Sequence, residues 1–167
     1  RDGRYKARLV AGGHRQQHGL DFEETYAPVC SYRTMRMILA PAAHEDLEMR
    51  QFDIRTAFLN GELEEEVYVR PPRGAEYLAR NGRALRLWRA LYGLRQASRA
   101  WSKRLEAALT ERGFTQSDAD PSLWILHGEG GAVFAMFYVD DGLVAARTSA
   151  EADALVDMVA SMFAIRA

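Results

Sequence analysis

Residues 132–146 read AVFAMFYVDDGLVAA, two apolar runs on either side of the tripeptide Asp140-Asp141-Gly142. An Asp-Gly pair between apolar runs is a strong signal for a β-hairpin, so we predict two strands joined by a tight turn at these three residues. The apolar run at 123–126 predicts a third strand before them. The pattern therefore predicts a meander of strands with two adjacent carboxylates at one turn.

A second apolar strand, predicted at 48–54, carries Asp53 near its end. If this strand lies beside the hairpin, Asp53, Asp140 and Asp141 converge. Two carboxylates about 4 Å apart repel each other by roughly 4 kcal/mol at an effective dielectric of 20, and a cation relieves that repulsion. Mg²⁺ prefers oxygen ligands, and paired metal ions promote phosphoryl transfer. Turns also favour Asp, so a plain acidic turn is the alternative for the two adjacent acids.

The rest of the chain mixes helical and strand patterns with hairpins, which predicts an α+β fold. Thr148 and Glu151 have the spacing of a capping box, which predicts a helix start, and Pro41 predicts a kink or break in the first helix. Residues 12–28 are polar and rich in glycine, which predicts an extended arm. Helices are predicted over 33–47, 56–59, 98–112 and from residue 148, and the remaining strands over 5–10, 67–69 and 85–88.

The composition is ordinary for one globular domain, with 167 residues of which 48% are hydrophobic and 27% charged. The net charge of −1 gives no general attraction to nucleic acid, so such a partner has to be argued from local groups. Cys30 is the sole cysteine, which favours a reducing compartment. No apolar run approaches the roughly 20 residues of a membrane span, so no membrane partner is expected. The chain begins and ends abruptly, and we expect it to be a piece of a longer protein.

Six segments, taken in order, resemble the reverse transcriptases of Ty/copia-type LTR retrotransposons. Tyr138-Val139-Asp140-Asp141 resembles their Tyr-x-Asp-Asp box, although a box of four residues is weak by itself. The ordered set is specific because it covers essentially the whole chain. The other segments similar to the family's fingers and palm motifs are 5–11, 21–29, 51–61, 91–101 and 118–123.

The resemblance implies an RNA-directed DNA polymerase with an α+β fold, in which an antiparallel sheet packs on helices. The fingers would comprise about 1–50 and 60–90 and the palm about 51–59 and 91–167, with the thumb absent. The implied partners are an RNA template, a DNA primer, a deoxynucleoside triphosphate (dNTP) and the remainder of the pol polyprotein, with its thumb, ribonuclease H and integrase. The expected location is the cytoplasm, within virus-like particles, or the nucleus.

The family's metal site falls on the three acids identified above. Asp53 and Asp140 would bind or bridge two Mg²⁺ ions, for which Mn²⁺ could substitute, and Asp141 would complete the site. The backbone carbonyl of Ile54 would be an additional ligand. The resemblance thus implies that these carboxylates are catalytic, since the metal ions they hold would act directly on the reacting phosphate.

The family's dNTP site falls on Lys6, Arg8, Phe58 and Gly93. Alternation along a strand places Lys6 and Arg8 on one face, where they would reach the triphosphate; a solvated basic edge is the alternative. Phe58 would close the floor under the sugar, where a ring clashes with a 2′-hydroxyl, unless it is ordinary core. Gly93 would let the nucleotide or a base pair approach the backbone, or would simply serve a turn.

Three positions depart from the family pattern. Gly12 stands where the family usually has Lys, Ser98 where it has Pro, and Pro41 lies in a helix that normally has no proline. These departures keep open the alternative of a degenerate copy that folds without polymerising. A second alternative is another palm-type phosphoryl-transfer enzyme, such as a nucleotide cyclase. Arg95 and Arg99 would contact template phosphates, or else form a solvated helix start.

Overall fold

The structure, a computed structural model of the chain, describes residues 5, 7–79, 84–128 and 131–166. The chain divides into two compact units, the first containing Arg1–Tyr26 and Phe58–Trp101 and the second Ala27–Ala57 and Ser102–Ala167. Antiparallel sheets and helices are mixed along the chain, so the predicted α+β class is confirmed. The division into fingers and palm stays a prediction. No helix in the described ranges has the length and apolar character needed to cross a membrane.

The second unit is built on a six-stranded sheet in which every pair of neighbours is antiparallel. The helices α1 (Tyr32–His44) and α3 (Ser149–Met162) lie wholly in this unit. In spatial order the strands are β4 (Thr115–Gln116), β5 (Leu123–Gly128), β6 (Gly131–Tyr138), β7 (Asp141–Ala146), β1 (Glu48–Ile54) and β8 (Ile165–Arg166).

Aromatic packing holds the centre of this sheet together. The rings of Phe52 and Phe137 meet edge to face with centroids 6.1 Å apart, and both are almost completely buried. Gly142 lies opposite Phe52 in the pairing of β1 and β7. A Cβ atom at Gly142 would lie 2.3 Å from Cζ of Phe52. A glycine is therefore needed at this position because the Phe52 ring occupies the space of a side chain.

The first helix, α1, is not broken by Pro41 but continues to His44. Proline lacks the N–H that would bond to the carbonyl of the residue four positions earlier, which here is Met37. Met37 is 67% exposed, and only three helical residues follow Pro41. The predicted break was wrong because the proline lies in the last turn on an exposed side.

The two remaining helices begin close to the predicted positions. Thr148 and Glu151 form the predicted capping box of α3, with the Glu151 amide donating to Thr148 Oγ1 at 3.2 Å and the Thr148 amide donating to the Glu151 carboxylate at 3.0 Å. The second helix, α2 (Ala97–Glu111), is followed by Gly113, whose φ of +84° ends it.

The first unit contains a two-stranded sheet and a small core. β2 (Glu62–Val69) pairs with β3 (Leu85–Arg89) in antiparallel register, and β2 is longer than the predicted strand. The helix predicted at 56–59 is a short 3-10 helix, Ala57–Asn60. A core cluster of this unit is formed by small and branched apolar side chains from β2, from the segment before α2 and from the first turn of α2, namely Val67, Ala90, Leu94, Ala97 and Ala100.

Two predictions for the start of the chain were wrong. Within the described residues, 5 and 7–10 belong to no strand, because alternation predicts a strand only where a neighbouring strand is available to pair with it. Residues 12–28 do not form a simple extended arm, since they contain a 3-10 helix at Gly13–Arg15 and a bridge between His18 and Phe22.

Candidate active site

The acidic end of the six-stranded sheet lies where β1 ends and β7 begins. Asp53 is directly opposite Asp141 in the pairing of these strands. The amide of Ile54 donates a hydrogen bond to the carbonyl oxygen of Asp140 at 2.7 Å. Directly opposed residues of an antiparallel pair have Cβ atoms about 4.5–5.5 Å apart, on the same face of the sheet. The strand pairing therefore brings the three acids to one end of the sheet.

The turn that presents these acids is formed by Val139 and Asp140, not by Asp140-Asp141-Gly142. Tyr138 pairs with Asp141, and Asp141 is the first residue of β7. Val139 has φ of +59°, a conformation that β-branched residues rarely adopt and that usually calls for glycine in a two-residue hairpin loop. The turn was predicted two residues too late in its last position, because Gly142 is required by its packing against Phe52 and not by the turn.

The electrostatics of the acidic end disfavour the ionised form of Asp141. Burial, the charge of Asp140 and the charge of Asp53 all raise the pKa of Asp141 above its ordinary value. In the part of the chain that the structure describes, no three His, Cys, Asp or Glu side chains form a ready-made metal site. The three acids still suit a hard divalent ion in kind, because they offer oxygen ligands and their mutual repulsion falls when a cation binds.

A cavity of about 490 Å³ opens beside Asp141. Met136 and Gln51 both pair with Leu143, and Tyr138 and Asp53 both pair with Asp141, so their side chains lie on one face of the sheet. Tyr138 is 53% exposed, and the cavity therefore offers an accessible surface next to the acids. The side chains that line it include Cys30, Tyr32, Met35, Gln51, Met136, Tyr138 and Leu143.

Asp120 fixes the start of α1 against β5. The amide and hydroxyl of Ser122 donate to one carboxylate oxygen at 2.9 and 2.6 Å. The Ser31 amide, at 3.2 Å, and the Thr34 hydroxyl donate to the other. Burial alone would raise the pKa of Asp120, but these hydrogen bonds outweigh burial and hold the pKa well below its ordinary value. This buried carboxylate is a structural anchor; the sequence placed Asp120 in the family-like segment 118–123 but did not predict this role.

Three of the residues predicted to bind the dNTP meet at Tyr92 in the first unit. The guanidinium of Arg8 lies 4.5 Å from the centre of the Tyr92 ring, and the Phe58 ring lies 5.0 Å from it, centre to centre. Gly93 follows with φ of +90°. Lys6 lies outside the described residues. Tyr92 was missed, although its aromatic ring directly before a predicted functional glycine was a usable signal.

Gly93 is required by a close approach within the protein. A Cβ atom at this position would lie 2.2 Å from the carbonyl oxygen of Ala11, and the Ala11 amide donates to the Tyr92 carbonyl at 2.7 Å. The half-buried Phe58 packs against the core of this unit. The structural alternatives therefore hold in part for both residues: Gly93 serves the local backbone geometry, and Phe58 packs against the core.

The two arginines considered for template contact are engaged inside the first unit. Arg95 donates from Nε to the carbonyl of Gly13 at 3.0 Å. Arg99 forms an ion pair of 2.7 Å with Glu24. Both guanidiniums therefore contact residues 13–24, and the charge of Arg99 is balanced by a carboxylate. Arg95 remains exposed, so the choice between a template contact and a solvated helix start stays a prediction.

Comparison with known proteins agrees with these motifs. The family described as reverse transcriptase (RNA-dependent DNA polymerase) matches residues 1–167. The retrovirus-related Pol polyprotein from transposon TNT 1-94 of Nicotiana tabacum is 39% identical over 142 residues, which cover 84% of this chain and 11% of the relative. Those from transposons RE2 and RE1 of Arabidopsis thaliana are each 37% identical over 163 residues, which cover 98% of this chain and 11% of the relative.

The chain thus spans about 11% of the length of these curated relatives. No solved structure matches it. The family match covers the whole chain, and the relatives are Pol polyproteins of transposons. The chain therefore belongs to the reverse transcriptase family of Ty/copia-type retrotransposons.

Proposed function

We propose that the chain is the catalytic core of an RNA-directed DNA polymerase that adds deoxynucleotides to a primer 3′-hydroxyl by a two-metal mechanism. The observation that carries the proposal is the pairing of Asp53 with Asp141 at the sheet end where Asp140 forms the turn. A strained turn and opposed like charges are both unfavourable for the fold alone. Such features are commonly retained where a ligand uses them.

In the proposed reaction the primer 3′-oxygen attacks the α-phosphorus of the dNTP. A bond forms between that oxygen and phosphorus, the bond to the β-phosphate oxygen breaks, and pyrophosphate leaves. Asp53, Asp140, Asp141 and the Ile54 carbonyl would hold two Mg²⁺ ions, or Mn²⁺ in their place. When bound, these ions supply activation of the attacking hydroxyl and neutralisation of charge on the leaving group. The β1–β7 pairing holds the carboxylates at one place before substrate arrives.

The proposed nucleotide site uses Lys6, Arg8, Phe58 and Gly93, with Tyr92 added by the structure. The contact of Arg8 with the Tyr92 ring supports this assignment, because the ring restrains the position of the Arg8 guanidinium. A guanidinium is well suited to phosphate recognition. The contact between Phe58 and Tyr92 supports a fixed aromatic floor for the sugar. A rigid ring there would exclude a 2′-hydroxyl and favour deoxynucleotides.

The proposed context is that of the relatives, since the chain covers only a small part of their length. An RNA template and a DNA primer would be its substrates, and the remainder of a pol polyprotein, with thumb, ribonuclease H and integrase, its neighbours. The fingers and palm division and the absence of a thumb in this segment are part of the proposal. So is a location in cytoplasmic virus-like particles or in the nucleus.

The decisive experiment is primer extension on an RNA template with dNTPs and Mg²⁺, run beside a cyclase assay with a nucleoside triphosphate alone. Extension that depends on the metal is the expected result. Production of a cyclic nucleotide without extension would favour the rival phosphoryl-transfer enzyme. A folded protein with neither activity would favour a degenerate copy. Circular dichroism on the same sample establishes whether the protein is folded.

A further inference from the structure

A network of amide groups ties residues 13–21 to the start of α2. Gln16 Nε2 donates to Gln96 Oε1 at 3.0 Å, and Gln96 Nε2 donates to the carbonyl of Asp21 at 2.8 Å. The Arg95 amide donates to Gln16 Oε1 at 2.8 Å. We call these four residues, Gln16, Asp21, Arg95 and Gln96, the amide clasp. Its two glutamine side chains each act as donor and acceptor at once.

Gln96 is the centre of the amide clasp and is only 3% exposed. A buried amide costs free energy unless its hydrogen bonds are made, and here both ends of the side chain have partners. Gln16, in contrast, is half-buried. The chain thus keeps a fully satisfied polar side chain at a position where an apolar one would pack without that requirement. Such a network fixes one arrangement of the segments it joins.

The segment held by the amide clasp continues directly into the proposed nucleotide site. A Cβ atom at Gly13 would lie 1.9 Å from the carbonyl oxygen of Gly93, so the two backbones touch. Two residues earlier, the Ala11 amide bonds to the Tyr92 carbonyl. Arg8 lies three residues before Ala11, with its guanidinium over the Tyr92 ring. The position of Arg8 therefore depends on where residues 11–16 are held.

We infer that Gln96 is a positioning residue for the incoming nucleotide. Through Gln16 it holds the backbone of residues 11–16 against Gly93, and this placement sets Arg8 over Tyr92 for contact with the triphosphate. The inference rests on the proposed function, because it assigns Gln96 a task in binding a dNTP. It goes beyond that function because Gln96 contacts neither substrate nor metal in this scheme and acts only through the residues it holds.

The test compares Gln96→Met, Gln16→Met and the double variant. Methionine keeps the length of glutamine and removes its donor and acceptor atoms, so the shape is largely preserved. Gln116→Leu is the matched control, because Gln116 also donates its amide to a carbonyl, that of Pro121 at 2.7 Å, but lies outside the clasp. Gln16→Met provides a second variant from a half-buried position if Gln96→Met fails to fold.

Two measurements are made on each variant. Single-nucleotide incorporation gives KM for the dNTP and kcat separately, and hydrogen exchange gives the protection of the Ala11 amide. We expect each single variant to raise KM about tenfold with kcat changed less than about threefold, and to speed exchange at Ala11 about tenfold. In the double variant, KM and the exchange rate should exceed those of the more affected single variant by no more than about twofold, because both residues act through one contact.

The outcomes distinguish failure of the positioning role of Gln96 from failure of the proposed polymerase function. If the wild-type protein extends primers and Gln96→Met has an unchanged KM for dNTP, the positioning role is overturned while the polymerase stands. If KM rises equally in Gln116→Leu, the effect is general and the role is also overturned. If the folded wild-type protein incorporates no nucleotide, both the function and the nucleotide role are rejected. Exchange at Ala11 then still reports whether the clasp holds its segment.

Discussion

Asp53 and Asp141 face each other across the antiparallel pairing of β1 and β7. Like charges directly opposed across a sheet are destabilising. Burial raises the pKa of Asp141 above its ordinary value, and the charges of Asp140 and Asp53 raise it further. A bound divalent ion reverses the sign of the interaction, since both carboxylates are then attracted to the same charge. If the proposed site is correct, a bound divalent ion would therefore stabilise the folded chain.

Asp53→Asn should lower the pKa of Asp141 toward its ordinary value, because the substitution removes one of the charges that raise it. The raised pKa means that folding disfavours the ionised form of Asp141. Its contribution to stability is therefore complete below the unfolded pKa and is lost as pH rises through the folded pKa. NMR titration of the Asp141 carboxyl group without divalent ions measures the shift. A titration curve identical to that of the wild-type protein would show that the two carboxylates do not interact.

Asp140→Asn should reduce primer extension by at least about 100-fold while leaving the fold intact, because it removes a charge that would hold metal in the proposed site and keeps the shape of the side chain. The Ile54 amide bonds to the backbone carbonyl of residue 140, so this contact survives the substitution. Asp157→Asn, at an exposed position of α3, is the control. Extension at the wild-type rate by Asp140→Asn would remove Asp140 from the catalytic set.

Phe58→Ala should reduce the preference for dNTPs over ribonucleotides by about 10- to 100-fold, because removal of the ring makes room for a 2′-hydroxyl. Phe58→Tyr retains the ring that contacts Tyr92 and is the matched variant. The ratio of kcat/KM for the two nucleotides measures selectivity. Equal ratios in Phe58→Ala and the wild-type protein would leave Phe58 as a core residue of the first unit.

Gly142→Ala should destabilise the second unit by about 1–3 kcal/mol, the usual cost of overpacking a core. The new Cβ atom would lie 2.3 Å from the Phe52 ring, and that ring is held by Phe137. Chemical denaturation gives the free energy of unfolding. The control is Gly128→Ala, where the nearest atom to a Cβ is 3.8 Å away. Addition of Phe52→Leu should recover part of the loss, and equal costs for the two single variants would contradict the packing argument.

For the hairpin, local sequence predicted the two strands but not the position of the turn. Apolar runs around Asp140 and Asp141 were enough to predict β6 and β7, because alternation and turn composition are local properties. The turn itself was displaced, since Gly142 is required by Phe52, which is distant in sequence. A glycine that serves packing and one that serves a turn look the same in a sequence.

The candidate site shows the same division between local and distant information. The end of a strand at Asp53 was predictable, whereas its pairing with β7 depended on strand order, which periodicity does not contain. Lys6 and Arg8 were grouped by alternation on a strand that does not form in the described residues. Arg8 instead meets Tyr92, a contact that needs the close approach of Ala11 to Gly93.

Asp120→Ala should destabilise the second unit by about 3 kcal/mol, because it leaves four buried or half-buried donors without their charged acceptor.

The depressed pKa of Asp120 gives this stabilisation a defined pH dependence. It is fully present above the unfolded pKa and is lost as pH falls through the folded pKa. The unfolding free energy of the wild-type protein should therefore fall more steeply on acidification than that of Asp120→Asn, as measured by urea denaturation between pH 7 and about pH 3. Asp118→Asn, two residues away and exposed, should keep the wild-type slope. Parallel pH profiles for Asp120→Asn and the wild-type protein would mean that the carboxylate does not hold α1 in its charged form.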